Sequence, residues 1–324
     1  MNLIMQKDIL FIDAACKSRE KFLLGKDKLL RIAEQDSYEE AVSLLKEYGF
    51  GKSAEEGADL YSLIYAEEEE LIAFIKEYAP KGGVKYYFLL PYDFFNAEAL
   101  FKCKKLGLKE EKMLTHEGVL TIDEIRKAVD GEKSAIPEIT FAVKEAEELF
   151  KNETLPSGSC VDAVFMRNLY AATLRLVKDP TAKKLVKKEI DFKNLSALFR
   201  CETIEEYSAI KLYGGSIAEQ AEKAVLSKDK AVIEQAFKNT PMQNFVLKAM
   251  SEMGNPLIDY EKEAEGYPVS KLRETRFFNR GKEPYLLYVS YRKADIKNVR
   301  LVLLGIKAGK DKSVIKNKLR ECYY

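Results

Sequence analysis

The stretch Asp295-Ile296-Lys297-Asn298-Val299-Arg300-Leu301-Val302-Leu303-Leu304-Gly305 decides how this chain is read, because its opening pattern, Asp-x-x-Asn, occurs twice more. Asp93-Phe94-Phe95-Asn96 leads into Ala97-Glu98-Ala99-Leu100-Phe101-Lys102-Cys103. Asp191-Phe192-Lys193-Asn194 leads into Leu195-Ser196-Ala197-Leu198-Phe199-Arg200-Cys201. The intervals are 98 and 104 residues, and the pattern occurs nowhere else in the chain. That period is too long for a solenoid repeat and suits a helical domain of roughly 100 residues.

Taken as helices, the copies share a chemistry. The positions four before, and three, four and seven after, each Asn are Tyr92, Ala99, Leu100, Cys103; Ile190, Ala197, Leu198, Cys201; and Ala294, Leu301, Val302, Gly305. These offsets form one apolar stripe at helical period. A polar Asn therefore sits in a greasy stripe three times, with Asp one turn before it. A buried amide must make its hydrogen bonds, so it is expected to tie neighbouring elements together rather than to bind a ligand. The residue seven places on is small each time, which allows a neighbouring helix to approach. Asp or Asn capping a helix start is the competing reading.

Outward from these copies, the chain reads as helices throughout. Residues 8–34 form one apolar-periodic segment, broken only by Gly25. Ser37 and Glu40 make a capping box ahead of the next helix, which Gly49-Phe50-Gly51 ends. Helix 58–78 carries Leu60, Leu63, Ile64, Leu71, Phe74 and Ile75. A second round opens on the capping box Thr121/Glu124 and continues through helices at 137–151, 160–177 and 181–201, with a loop at 155–159. A third opens at Ser227-Lys-Asp-Lys-Ala-Val232, which echoes Ser37-Tyr-Glu-Glu-Ala-Val42, and runs through 244–253, 260–278, 285–306 and 311–322. Lys85–Leu90 and Tyr285–Ser290 have strand-prone residues, but the corresponding Lys183–Glu189 is plainly helical, so all three are expected as helix. The expectation is an all-α protein of three similar helical repeats, 1–118, 119–224 and 225–324.

Bulk composition narrows the function classes. The 324 residues have 53 Lys and Arg against 52 Asp and Glu, a net charge of +1, so no global field recruits nucleic acid or membrane. Apolar runs such as Tyr285–Val289 fall far short of the ~18 residues of a spanning helix. The N-terminus lacks a signal peptide's basic start and long apolar core. The cysteines at 16, 103, 160, 201 and 322 are scattered and unpaired in spacing, which favours reduced thiols in the cytosol over a disulfide frame or zinc site. Charge is nevertheless segregated. Residues 55–78 hold eight acids and one base, while residues 271–324 hold fifteen bases and five acids. Either these are solvated faces, or the basic end docks on an acidic partner.

Catalytic patterns are imitated rather than met. Gly51-Lys52-Ser53 resembles the end of a phosphate loop, but Lys46 stands where the first Gly is needed and no strand precedes it. His116, the sole histidine, has no G-x-S-x-G elbow beside it and cannot build a histidine metal site. The acids Glu67-Glu68-Glu69-Glu70 spread around a helical turn and read as a solvated face. No catalytic, cofactor-binding or metal residue is assigned. The assigned residues are those of the repeat signature: Asp93, Asn96, Asp191, Asn194, Asp295 and Asn298.

Asp295–Gly305, preceded by Arg280-Gly-Lys-Glu-Pro-Tyr-Leu-Leu-Tyr288, resembles the final repeat of the C-subunit family of the V-type (archaeal and bacterial A/V-type) rotary ATPases, whose eukaryotic counterpart is the d-subunit. Asp191–Arg200 resembles the middle repeat. Ala14–Leu24 with Ser37–Val42 resembles the family's opening helices. Two departures stand out: Asp where the family often has Glu, and the aromatic Phe94-Phe95 at positions that are usually polar. The resemblance implies a funnel of three helical domains around a pseudo-threefold axis, peripheral on the cytoplasmic, inner face of the membrane. There it would be a non-catalytic collar, without cofactor or metal, coupling the D and F proteins of the central shaft to the membrane proteolipid ring. Such a collar serves ATP-driven ion (proton or sodium) transport or ATP synthesis and has no direct small-molecule substrate. A soluble helical scaffold unrelated to rotary ATPases is the alternative.

Overall fold

The computed structural model describes residues 9–54, 59–110, 113–152, 157–274 and 281–323. All regular structure among the described residues is helical, so the protein is all-α. The chain forms two compact units. One is Lys81–Glu261, and the other combines the chain's two ends, Met1–Pro80 with Lys262–Tyr324.

In the central unit two long helices organise the packing. The first, which carries Asp93 and Asn96, is Val84–Leu106. It packs on the helices Ile122–Val129, Pro137–Asn152 and Gly158–Leu176, which follow it in sequence. Their shared core joins Leu90, Phe94 and Phe101 to Ile125, Ile139, Val143, Val164 and Phe165. Starts and stops in this set are well marked. Gly83 and Gly107 stand in left-handed conformations at the two ends of Val84–Leu106. Thr121 and Glu124 make a complete capping box ahead of Ile122. The second organising helix is Pro180–Arg200, capped by Asp179 and carrying Asp191 and Asn194. It packs on Ile204–Ile210, Glu219–Leu226 and Gln243–Ser251. Lys230–Phe237 completes this set against its neighbours.

In the unit built from the two ends, the helix Glu283–Lys307, which carries Asp295 and Asn298, packs on Ile9–Glu20, Gly25–Ala33, Tyr38–Glu47 and Leu60–Tyr78, and on Lys312–Asn317. We label these, in chain order, α1 (Ile9–Glu20), α2 (Gly25–Ala33), α3 (Tyr38–Glu47), α4 (Leu60–Tyr78), α5 (Val84–Leu106), α6 (Ile122–Val129), α7 (Pro137–Asn152), α8 (Gly158–Leu176), α9 (Pro180–Arg200), α10 (Ile204–Ile210), α11 (Glu219–Leu226), α12 (Lys230–Phe237), α13 (Gln243–Ser251), α14 (Ile258–Glu274), α15 (Glu283–Lys307) and α16 (Lys312–Asn317). Tyr285, Tyr288 and Tyr291 are buried on α15, and Phe74 of α4 stacks on Tyr285 with centroids 5.9 Å apart.

Several sequence expectations shift in detail, and tertiary bonds explain most shifts. The 8–34 segment is two helices, because the chain turns at residues 21–24. Leu23 and Leu24 are buried there, and the Leu24 N–H goes to the Asp295 carboxylate instead of to its own helix. Gly25 then takes φ +68°, a left-handed conformation that favours glycine. The expected 311–322 helix stops at Asn317 because the Arg320 peptide is spent on Asn298. Ser37 caps α3, but Glu40 accepts the N–H of Asp36 rather than that of Ser37, so the box is half formed. Ser227–Val232 echoes Ser37–Val42 in spelling only, since Asp229 is the cap of α12. Helices α10 and α11 were not expected from the sequence pattern. Residues 155–156 of the expected loop and 275–278 of the expected 260–278 helix lie outside the described residues.

The segregated charges meet each other at two points. Glu67 and Glu68 of the acidic stretch pair with Arg292 and Arg300 of the basic stretch, and Lys312 and Lys316 pair with Asp36 and Glu34. The expectation of a solvated face at Glu67–Glu70 fails at Glu67, which is 2% exposed.

Candidate functional site

Each signature aspartate and asparagine lies inside the fold, the six residues being no more than 3% exposed. Every Asn treats a loop peptide as a strand would. The Asn194 amide donates to the Leu212 carbonyl at 2.8 Å and accepts the Leu212 N–H at 2.9 Å. Asn298 makes the same pair with Arg320, at 3.3 and 2.8 Å. Asn96 donates to the His116 carbonyl at 2.9 Å and accepts the Thr115 N–H at 2.8 Å. A helix side chain thus satisfies a loop backbone that would otherwise be buried without partners.

The aspartates hold the next few residues of those loops. Asp93 accepts the N–H groups of Val119 and Leu120 at 2.9–3.1 Å, just before α6. Asp191 accepts the Ser216 N–H and hydroxyl, both at 2.5 Å, and the Ile217 N–H at 3.3 Å, just before α11. Lys188 adds an ion pair at 3.1 Å. A glycine precedes each donor. A Cβ on Gly118 would lie 2.3 Å from the Leu89 carbonyl oxygen, and one on Gly215 would lie 2.5 Å from the Asp191 Oδ1. These glycines, 25 and 24 residues after their aspartates, leave only a spacing as their sequence signal, and sequence reasoning missed them.

The third copy departs from this scheme. Among the described residues, no downstream loop donates to Asp295. Its Oδ2 accepts the Leu24 N–H at 3.0 Å, across 271 residues of sequence, just before α2. Its Oδ1 has no hydrogen-bond partner among the described residues. Burial accordingly pushes this carboxyl up to about 6, against the pull of the Leu24 and Gly25 N–H groups and of Arg292, while Glu67 adds to the rise. Beside it, Glu67 pairs with the buried Arg292 and accepts the Gly51 N–H at 2.5 Å.

That last bond disposes of the phosphate-loop likeness. The backbone donor of Gly51-Lys52-Ser53 already serves a carboxylate of the protein itself. A cleft of about 220 Å³ lies nearby, lined among others by Arg19, Lys52, Glu67, Phe74 and Arg292. Its buried charges, Glu67 and Arg292, answer one another. His116 is buried, with its ring edge-on to Tyr92 at 6.0 Å. The Cys16 and Cys322 thiols are pushed up to about 12, chiefly by burial, which leaves them as weak nucleophiles. Among the described residues, no group of three His, Cys, Asp or Glu is placed to hold a metal, and no helix is long and apolar enough to cross a membrane. What the arrangement does chemically is fasten loops to helices.

Comparison with known proteins places this framework. Residues 12–318 match the family described as the ATP synthase (C/AC39) subunit. The C-subunit of the V-type sodium ATPase of Enterococcus hirae is 20% identical over 320 residues, covering 95% of this chain and 96% of that protein.

Proposed function

The chain belongs to the ATP synthase (C/AC39) subunit family of the rotary ATPases, and we propose that it is the non-catalytic collar of the central stalk in a V-type enzyme. In this reading it receives the D and F proteins of the shaft on one side and the membrane proteolipid ring on the other. ATP hydrolysis in the soluble head turns the shaft, and the collar passes that torque to the ring that carries the ion. The protein works at the inner face of the membrane without crossing it. In this reading the chain carries three similar helical repeats, 1–118, 119–224 and 225–324.

The observation that carries this reading is the extent of the match: it spans 12–318, so it takes in all three signature helices and not one shared segment. The geometry supports it in kind. Torque transmission asks for stiff elements, and among the described residues the Asp and Asn of each signature helix make three to five hydrogen bonds to segments outside that helix. Depletion and add-back test it. Vesicles carrying the ATPase complex stripped of this protein should hydrolyse ATP without moving ions, and adding the purified chain should restore transport. Coupled transport in its absence, or ATP hydrolysis by the isolated chain, would overturn the proposal.

A further inference from the structure

The three aspartate sockets invite a comparison of how each is closed. Asp93 and Asp191 are closed by the loop that follows them in the chain, with both carboxylate oxygens engaged. Asp295 is closed by the turn between α1 and α2, brought from the opposite end of the chain, with one oxygen engaged and the other buried without a hydrogen bond among the described residues. The same seam continues next door, where the Lys26 N–H donates to the Tyr323 carbonyl at 2.9 Å. Around it, Lys312 and Lys316 hold Asp36 and Glu34.

We propose that Asp295 is a pH-sensitive latch on this seam, holding the α1–α2 turn against α15 firmly at mildly acidic pH and loosely at neutral pH. The groups that face it are few. α15 itself supplies Arg292, α4 supplies Glu67, and the C-terminal segment supplies the Cys322 thiol. The α1–α2 turn supplies backbone N–H groups of Leu24 and Gly25.

The sign follows from linkage. The closed seam binds its proton up to about pH 6, whereas an opened seam exposes an ordinary aspartate that gives up its proton near 3.8. Between those values the closed form holds a proton that the open form releases, so raising the pH through this window favours opening. Opening returns the orphaned oxygen to water, and an ionised carboxylate gains most from that. A shift of that size corresponds to roughly a hundredfold change in the opening equilibrium across the window, at a tenfold change per pH unit.

Amide hydrogen exchange on the full chain, corrected for intrinsic rates, tests this at pH 5, 6 and 7. The opening constant of the amides at residues 22–26 should rise about tenfold from pH 5 to pH 7. That rise should vanish in Asp295→Asn and persist in Asp191→Asn. An equal rise in Asp295→Asn, or no rise in the wild type, overturns the latch. The carboxyl carbon of Asp295, followed by NMR in the unaltered protein, gives a readout that needs no variant. A midpoint near 6 supports the latch, and one near 4 overturns it.

Discussion

Asp191 and Asp295 begin the same four-residue pattern, yet their surroundings differ in completeness. Around Asp191 a backbone N–H pair, a hydroxyl and an ammonium meet both carboxylate oxygens. Around Asp295 a single close N–H meets one oxygen, and burial dominates its protonation. The difference lies in where the partner comes from. A contiguous loop can be shaped residue by residue, with Gly215 making room and Ser216 adding a hydroxyl. The third copy is closed instead by Leu24, from the other end of the chain. A buried carboxylate with all acceptors used stabilises a fold, whereas one left short costs stability at neutral pH.

The largest test of that contrast is the charge pair flanking Asp295. Glu67→Ala leaves Arg292 and the Gly51 N–H buried without their partner, and should cost about 3–5 kcal/mol in urea unfolding. Replacing the pair together, Glu67→Met with Arg292→Leu, should recover much of that loss. If the single variant unfolds like the wild type, the pair does not shape this socket. Next come the aspartates themselves. Asp191→Asn sets an amide against N–H donors and should cost about 2–3 kcal/mol at pH 7, whereas Asp295→Asn should be neutral or stabilising at that pH. The stability gap between wild type and Asp295→Asn should narrow below pH 6 as the native carboxyl takes up its proton. Equal losses in both variants at pH 7 would erase the distinction. Gly118→Ala, which presses a methyl on the Leu89 carbonyl, should cost about 1–3 kcal/mol. Gly158→Ala has open space around it and should be tolerated, as a thermal melt would show. Smallest is Arg300→Ala, which loses a half-exposed contact with Glu68 at 3.3 Å; a change above about 1 kcal/mol would contradict the weak value expected of such pairs.

The helical class was legible because periodicity and caps are local. Thr121 with Glu124 and Asp179 with Pro180 mark helix starts without outside help. The Asp-x-x-Asn positions were legible because a polar pair in an apolar stripe breaks the pattern that burial imposes. What the pair holds was not legible. Leu212, Arg320 and Leu24 have no local mark, since any residue but proline offers a peptide N–H. The same long-range bonds broke the expected helices at 21–24 and beyond 317. Glu67 was misread for a related reason: one member of a run of four glutamates faces inward, and only Arg292, 225 residues away, reveals which. At Gly305 the local reading and the packing agree, because Ile315 lies so close that an added Cβ would sit 2.8 Å from it.

If the triple signature holds the architecture together, with partners engaged elsewhere, breaking one copy should cost stability and spare binding. Asn194→Leu tests it most directly, because it strips both hydrogen bonds from the buried Leu212 peptide and touches nothing exposed. Unfolding free energy and affinity for the purified D and F shaft proteins, its proposed partners, should be measured on the same preparation. Stability should fall by about 2–4 kcal/mol, with unchanged affinity in the folded fraction. Unaltered stability with lost binding would contradict it and make the signature a site.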